Sequence, residues 1–235
     1  MDGYARQIPL IGEEGQEKLM KSRVLVVGAG GLGSVVITYL VSAGIGKIGI
    51  VDGDVVEEHN LQRQFIHAGN VGKNKALSAM EFVERLNPDV EVEAYPFNLN
   101  ESNIAIAKHY DVVVACPDNF ETRLILNDFC VRNDIPMVHG AIYGFEGEVT
   151  TVVGSPCYRC LYSSFPKQEE RFTPVFGFTC GVAGSIQCAE TIKVLLGMEV
   201  LRGKLLRFDL RSMEFFTIEY ERNPNCLACK NRKEG

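Results

Sequence analysis

The chain lacks an excess of positive charge, an uninterrupted apolar run long enough to span a bilayer, an internal repeat and a low-complexity tract. Each absence removes a class of function. A formal net charge of -6 and a pI near 5.4 exclude a generic electrostatic binder of nucleic acid, so no nucleic-acid partner is expected. The most apolar long stretch, Val35 to Val51, is interrupted by glycines and by Lys47, so it reads as helix, turn and strand rather than a membrane span. Met1 to Gln7 carry no apolar core, so no secretory leader is expected and the chain is read as cytoplasmic.

What the chain has in unusual supply is cysteine, eight in 235 residues. Cys157-Tyr158-Arg159-Cys160 and Cys226-Leu227-Ala228-Cys229 form two C-x-x-C pairs. Without an export signal, such pairs argue for zinc over disulfides, with a redox pair as the alternative. No histidine neighbours them to suggest an open coordination position, so Cys157, Cys160, Cys226 and Cys229 are read as a closed structural zinc site. Cys116, Cys130, Cys180 and Cys188 lie singly in apolar segments and read as small buried hydrophobes.

Apolar periodicity predicts a short lead-in helix at 15–20 and a strand at 24–27. A helix at 32–42, a strand at 47–51 and a helix at about 73–86 follow. Then come a strand at 90–95, a short helix after Asn100, a strand at 111–116, a helix at 121–133 and a strand at 136–139. Alternating strands and helices imply a Rossmann-like, doubly wound α/β fold with a mostly parallel sheet. After Gly140 the β-branched run near Val149 to Val153 follows without a helix, which predicts an antiparallel extension. A helix at 181–196 and strands at 205–208 and 215–220 complete the pattern. Residues 161–178 read as a long functional loop, expected to be mobile until a substrate arrives. With no linker, 1–235 is read as one domain: a nucleotide-binding half, 1–140, and a half holding the extension, the loop and the zinc-binding tail, 141–235.

The chemistry centres on Val24 to Val27 running into Gly28-Ala29-Gly30-Gly31-Leu32-Gly33, with Asp52 ending the next strand. Gly28 suits a sharp turn, Gly30 or Gly31 a close approach to phosphate, and Gly33 close packing of helix on strand. A helix N-terminus there offers N–H groups and dipole to an anion, and Asp52 is placed for ribose hydroxyls. Alone this motif points to a nicotinamide oxidoreductase. Arg63, in Asn60-Leu61-Gln62-Arg63-Gln64, suits a triphosphate, although it could also cap a loop. Lys73 and Lys75 begin a helix, an unfavourable end for cations, which suggests an anion arriving from elsewhere; a solvated charge pair is the alternative. Asp118 ends a strand on the same side as the glycine turn and could hold Mg²⁺, N-cap the next helix, or both.

Taken in order, these motifs, with Asp52-Gly53-Asp54, Gly72, Asp118-Asn119 and Gly184-Ser185-Ile186-Gln187 through Lys193, resemble the MoeB, ThiF and HesA proteins, the ubiquitin-activating-enzyme-like adenylyltransferases. The likeness runs from Tyr4 to Cys229. It implies a homodimer that uses ATP and Mg²⁺ to adenylate a carboxylate, most often the C-terminal glycine of a ubiquitin-like sulfur carrier of the MoaD/ThiS type. It further implies Asp52 on the ribose, Arg63 and Lys75 on the triphosphate, Asp118 beside Mg²⁺, and Arg6 inserted into the neighbouring subunit's site. Gly28, Gly30, Gly31, Gly33, Asp54, Asn60, Gln64 and Asn119 complete the expected nucleotide-binding set. ThiF-like members carry a cysteine in the loop after the first C-x-x-C, but Leu161 to Thr179 has none, so adenylation without a covalent sulfur step is expected. Some relatives, such as the HcgE proteins of methanogens, activate a small-molecule carboxylate, a guanylylpyridinol, in cofactor biosynthesis, which supplies the alternative substrate class. A non-catalytic heterodimer half usually lacks some phosphate-binding side chains, and this chain has them all.

Overall fold

The computed structural model describes residues 2–162 and 174–230. Strands β1 (Arg23–Val27), β2 (Lys47–Val51), β3 (Glu91–Tyr95), β4 (Val112–Ala115), β5 (Met137–Tyr143), β6 (Glu146–Val152), β7 (Lys204–Asp209) and β8 (Glu214–Glu219) form one sheet in the order β3-β2-β1-β4-β5-β6-β7-β8. The first five pair in parallel and the last three add on antiparallel. The doubly wound sheet with an antiparallel extension is therefore what the residue pattern implies.

Helices α1 (Ile8–Lys21), α2 (Gly31–Ser42), α3 (Lys75–Leu86), α4 (Phe120–Arg132), α5 (Tyr158–Leu161) and α6 (Gly177–Leu196) cover the faces. Successive strand residues point to opposite sides. Val24, Val26, Ile48, Ile50, Val112 and Val114 enter the core under α1, α2, α3 and α6. Leu25, Val27, Val51, Val113 and Ala115 enter the core under α4 and the cysteine-bearing segments. Burial on both faces explains why these strands read as continuous apolar runs rather than as alternation.

Several boundaries moved for tertiary reasons. The lead-in helix starts at Ile8, with Pro9 tolerated in its first turn, and kinks at Gly12, where φ is +73°. The break at Gly140 falls inside β5, because that strand continues to Tyr143 as the antiparallel partner of β6. The last helix starts at Gly177, four residues before the expected start. The loop expected to be mobile lies for the most part, at 163–173, outside the described residues. Among the described residues no helix is long and apolar enough to cross a membrane.

The strand order reverses between β1 and β4. In an open parallel sheet such a reversal opens a crevice beyond the carboxyl ends of the two strands. The glycine turn follows β1 and Cys116-Pro117-Asp118 follows β4, so both motifs border that crevice.

Candidate active site

Gly28 leaves β1 with φ +98°, and a Cβ there would lie 2.6 Å from the Cys116 carbonyl oxygen. Only glycine lets the turn sit this close to the end of β4. A Cβ on Gly33 would lie 2.0 Å from the Gly28 carbonyl oxygen, so α2 begins directly on the turn. Gly30 is the N-cap of α2 and lines the cavity, with Gln64 Nε2 the nearest neighbour to its missing side chain at 3.6 Å. Gly31 differs: its missing side chain is replaced by the Cys180 sulfur, which would lie 2.6 Å from a Cβ. Cys180 is fully buried, as the packed-residue reading requires, and burial pushes its thiol up to about 11.

Asp52 accepts hydrogen bonds from the backbone N–H groups of Ala29 (2.7 Å) and Asp54 (2.9 Å). Burial raises its carboxyl above the usual range, opposed by these bonds and by Lys75. Lys75 opens α3, is buried, and pairs with Asp54 at 3.0 Å. Lys73, expected at the helix start, lies just ahead of the Asn74 N-cap, outside α3, and pairs with Glu81 of that helix, so the anion this lysine meets belongs to the protein. Arg63 donates to the His59 carbonyl at 3.3 Å while lining the cavity, so its loop contact and its place in the site coexist. Asp118 does not cap α4: the Asn119 side chain does, accepting from Thr122 N–H at 2.8 Å, which leaves Asp118 on the cavity lip. Asn60 accepts from Glu57 N–H at 3.0 Å. Gln64 is buried with its Oε1 lacking a donor among the described residues.

The expected site residues line one cavity of about 820 Å³, within the range of small-molecule sites, except for Gly33, Asn119 and Arg6. Gly33 and Asn119 shape its walls from behind. Arg6 is exposed in the segment before α1, away from the cavity.

Four further residues escaped the motif reading. Arg123, buried in α4, donates to the Pro117 carbonyl at 2.8 Å and lines the cavity. Glu148 on β6 faces Arg207 on β7 in register, and Glu146 lies 3.2 Å from the same guanidinium. Burial pushes the Glu148 carboxyl upward, but His139, Tyr162 and Arg207 outweigh it and hold the group below the usual range. The far end of the cavity thus carries two carboxylates around one guanidinium. An arginine one turn into a helix that follows a strand-end aspartate was the available clue for Arg123; the β6–β7 residues had none.

The four paired cysteines converge, with all sulfurs within 4.8 Å of one another. Their closest separations are 3.5 Å (Cys157–Cys226), 3.4 Å (Cys160–Cys229) and 3.9 Å (Cys157–Cys160). Tetrahedral zinc with Zn–S bonds of about 2.3 Å requires sulfur–sulfur edges of about 3.8 Å. The set therefore fits zinc and not disulfides, whose sulfurs would be about 2.05 Å apart.

A doubly wound sheet with a glycine turn at a helix N-terminus, a strand-end carboxylate and two cations around one cavity at the strand reversal has the form of a nucleotide-binding α/β protein. The chain belongs to the ThiF family, whose model matches residues 4–228. It is 47% identical to the SAMP-activating enzyme E1 of Haloferax volcanii, covering 97% of this chain and 88% of that protein. It is 44% identical to the sulfur carrier protein adenylyltransferase of Thermus thermophilus, covering 97% of this chain and 90% of that protein. Among solved structures, E. coli MccB with ATP superposes with a TM-score of 0.86 at 24% identity, covering 97% of this chain and 75% of that one, a likeness of fold.

Proposed function

We propose that the cavity binds ATP and adenylates a carboxylate, the C-terminal glycine of a ubiquitin-like sulfur carrier. The observation that carries this reading is the meeting of the glycine turn, Asp52, Arg63, Lys75 and Asp118 around one crevice. Relatives named for sulfur-carrier and SAMP activation, close to half identical over nearly the whole chain, support the substrate class. Asp52 takes the ribose, and Gly28, Gly30 and Gly31 admit the phosphates to the N-terminus of α2. Asn60, Gln64 and Asp54 shape the nucleotide wall, with the unpartnered Gln64 Oε1 available to a ligand N–H.

The substrate carboxylate, ionised near neutral pH, needs no general base. Its oxygen forms a bond to the α-phosphorus, the bond from that phosphorus to the pyrophosphate oxygen breaks, and an acyl-adenylate and pyrophosphate result. Arg63 and Lys75 offset the charge that moves onto the leaving group, Lys75 exchanging Asp54 for phosphate. Mg²⁺ suits the oxygen of Asp118 at the cavity lip and would screen that carboxylate from the triphosphate. Zinc in Cys157, Cys160, Cys226 and Cys229 is structural, tying the C-terminal tail to α5. The protein works as a cytoplasmic homodimer of one-domain subunits, with Arg6 delivered to the neighbouring site.

Exchange of labelled pyrophosphate into ATP, with carrier proteins and small carboxylates supplied in turn, tests the reaction. Exchange should depend on a carrier ending in glycine, and Arg63→Ala or Asp118→Ala should reduce it by about 10²-fold or more, the size of losing one transition-state contact. If no carboxylate of either kind supports exchange, or the two variants match the parent, the mechanism is wrong.

A further inference from the structure

His67 is fully buried and does not line the cavity, yet it touches the glycine turn. Its Nε2 lies 2.7 Å from the Ala29 carbonyl oxygen and its Nδ1 lies 2.9 Å from Ser78 Oγ on α3. A carbonyl only accepts, so Nε2 carries the hydrogen. Asn70 Nδ2 donates to Ser78 Oγ at 2.9 Å, and the Ser78 hydroxyl can then donate to Nδ1. This donor order is complete for a neutral imidazole, and burial, the largest influence, also lowers the pKa of His67.

The consequence lies on the other side of the peptide. Ala29–Gly30 is trans, since the one cis bond among the described residues is Ser155–Pro156. In a planar trans peptide the carbonyl and the N–H point in opposite directions. Fixing the Ala29 carbonyl toward buried His67 turns the Gly30 N–H away from it, toward the side on which Gly30 borders the cavity. Among the described residues no group accepts from Gly30 N–H. The Ala29 N–H, by contrast, is held by Asp52.

We propose that His67 is a positioning residue that sets the Gly30 N–H as a donor to a phosphate oxygen of the nucleotide, braced from α3 through Ser78. The same helix presents Lys75, so one element places both the cation and, through His67, the backbone donor. This rests on the reading that the cavity takes ATP.

Equilibrium binding of ATP and of adenosine to the full chain tests it, because adenosine lacks the phosphates. Parent, His67→Leu, His67→Gln and Ser78→Ala are compared. His67→Leu should weaken ATP by about tenfold while adenosine stays within about twofold, the scale of one hydrogen bond to a charged group. His67→Gln keeps an N–H in reach of the Ala29 carbonyl and should restore most of the loss. Ser78→Ala, which removes only the brace, should fall between, and it carries the test if His67→Leu does not fold. Equal loss for ATP and adenosine, or no loss for ATP, overturns the positioning role alone. A parent that binds no ATP overturns the nucleotide reading and this role with it.

Discussion

Two neighbours in the glycine turn do different work. Gly30 faces the cavity, whereas the place of a Gly31 side chain is taken by the sulfur of Cys180. Cys180 is thus a packing residue of the turn, and with its thiol pushed up to about 11 almost none is thiolate at neutral pH. Cys180→Ala should therefore retain pyrophosphate exchange near the parent level. Gly31→Ala should cost about 1–3 kcal/mol through overpacking, and Cys180→Ala should recover part of that cost in the double variant, since it removes the clashing atom. Urea unfolding of the four proteins measures the coupling; costs that simply add would show that the two sites are not in contact. Abolished exchange in Cys180→Ala would return the thiol to the chemistry.

At the scale of elements, the two C-x-x-C pairs lie 69 residues apart and join α5 to the tail after β8. Buried Cys157, Cys226 and Cys229 belong to the same core as α4, so the metal would hold a wall of the molecule rather than a reacting atom. One zinc per chain is expected. A strong chelator should lower the melting temperature and expose four titratable thiols, while exchange persists below the lowered transition. Release of two disulfides by reductant, with no metal in the native protein, would favour the redox alternative. The elements themselves were legible because each strand and helix carries its own period, and the places of Asp52 and Lys75 at the cavity were legible because one adjoins a strand end and the other a helix start, whereas Arg63, in a loop, was legible only from its motif. Arg207 and Glu148 were not, because their meeting depends on the β6–β7 register between residues 59 positions apart. His67 was hidden for the same reason: its partner Ala29 is 38 residues away. The partner of Lys73 was hidden too, because this lysine lies ahead of the Asn74 N-cap rather than in α3, and the pattern around it says nothing of the Glu81 that α3 supplies eight positions on.

The whole molecule explains why Arg6 lies apart from the other candidates. Its flanking residues are pinned to the body: Tyr4 packs against Gly44 and accepts from Asn87 at 3.0 Å, and Gln7 donates to the Ala43 carbonyl at 2.8 Å. Both anchors sit at the C-terminal end of α2, whereas the glycine turn is at its N-terminal end. A helix of 12 residues separates them by about 18 Å. An arginine held there cannot reach the cavity of its own chain, so an Arg6 that touches the nucleotide must belong to a second copy. In the two-fold homodimer proposed above, this is testable without a structure of the dimer. Arg6→Ala and Arg63→Ala should each be nearly inactive in exchange. When the two are unfolded together and refolded as a mixture, a mixed dimer has one site that combines an intact Arg63 with an intact Arg6 from its partner. With random pairing, half the dimers are mixed and each holds one good site of two, so activity should return to about a quarter of the parent. If Arg6 instead serves its own chain, every site in the mixture lacks one arginine, and no activity returns.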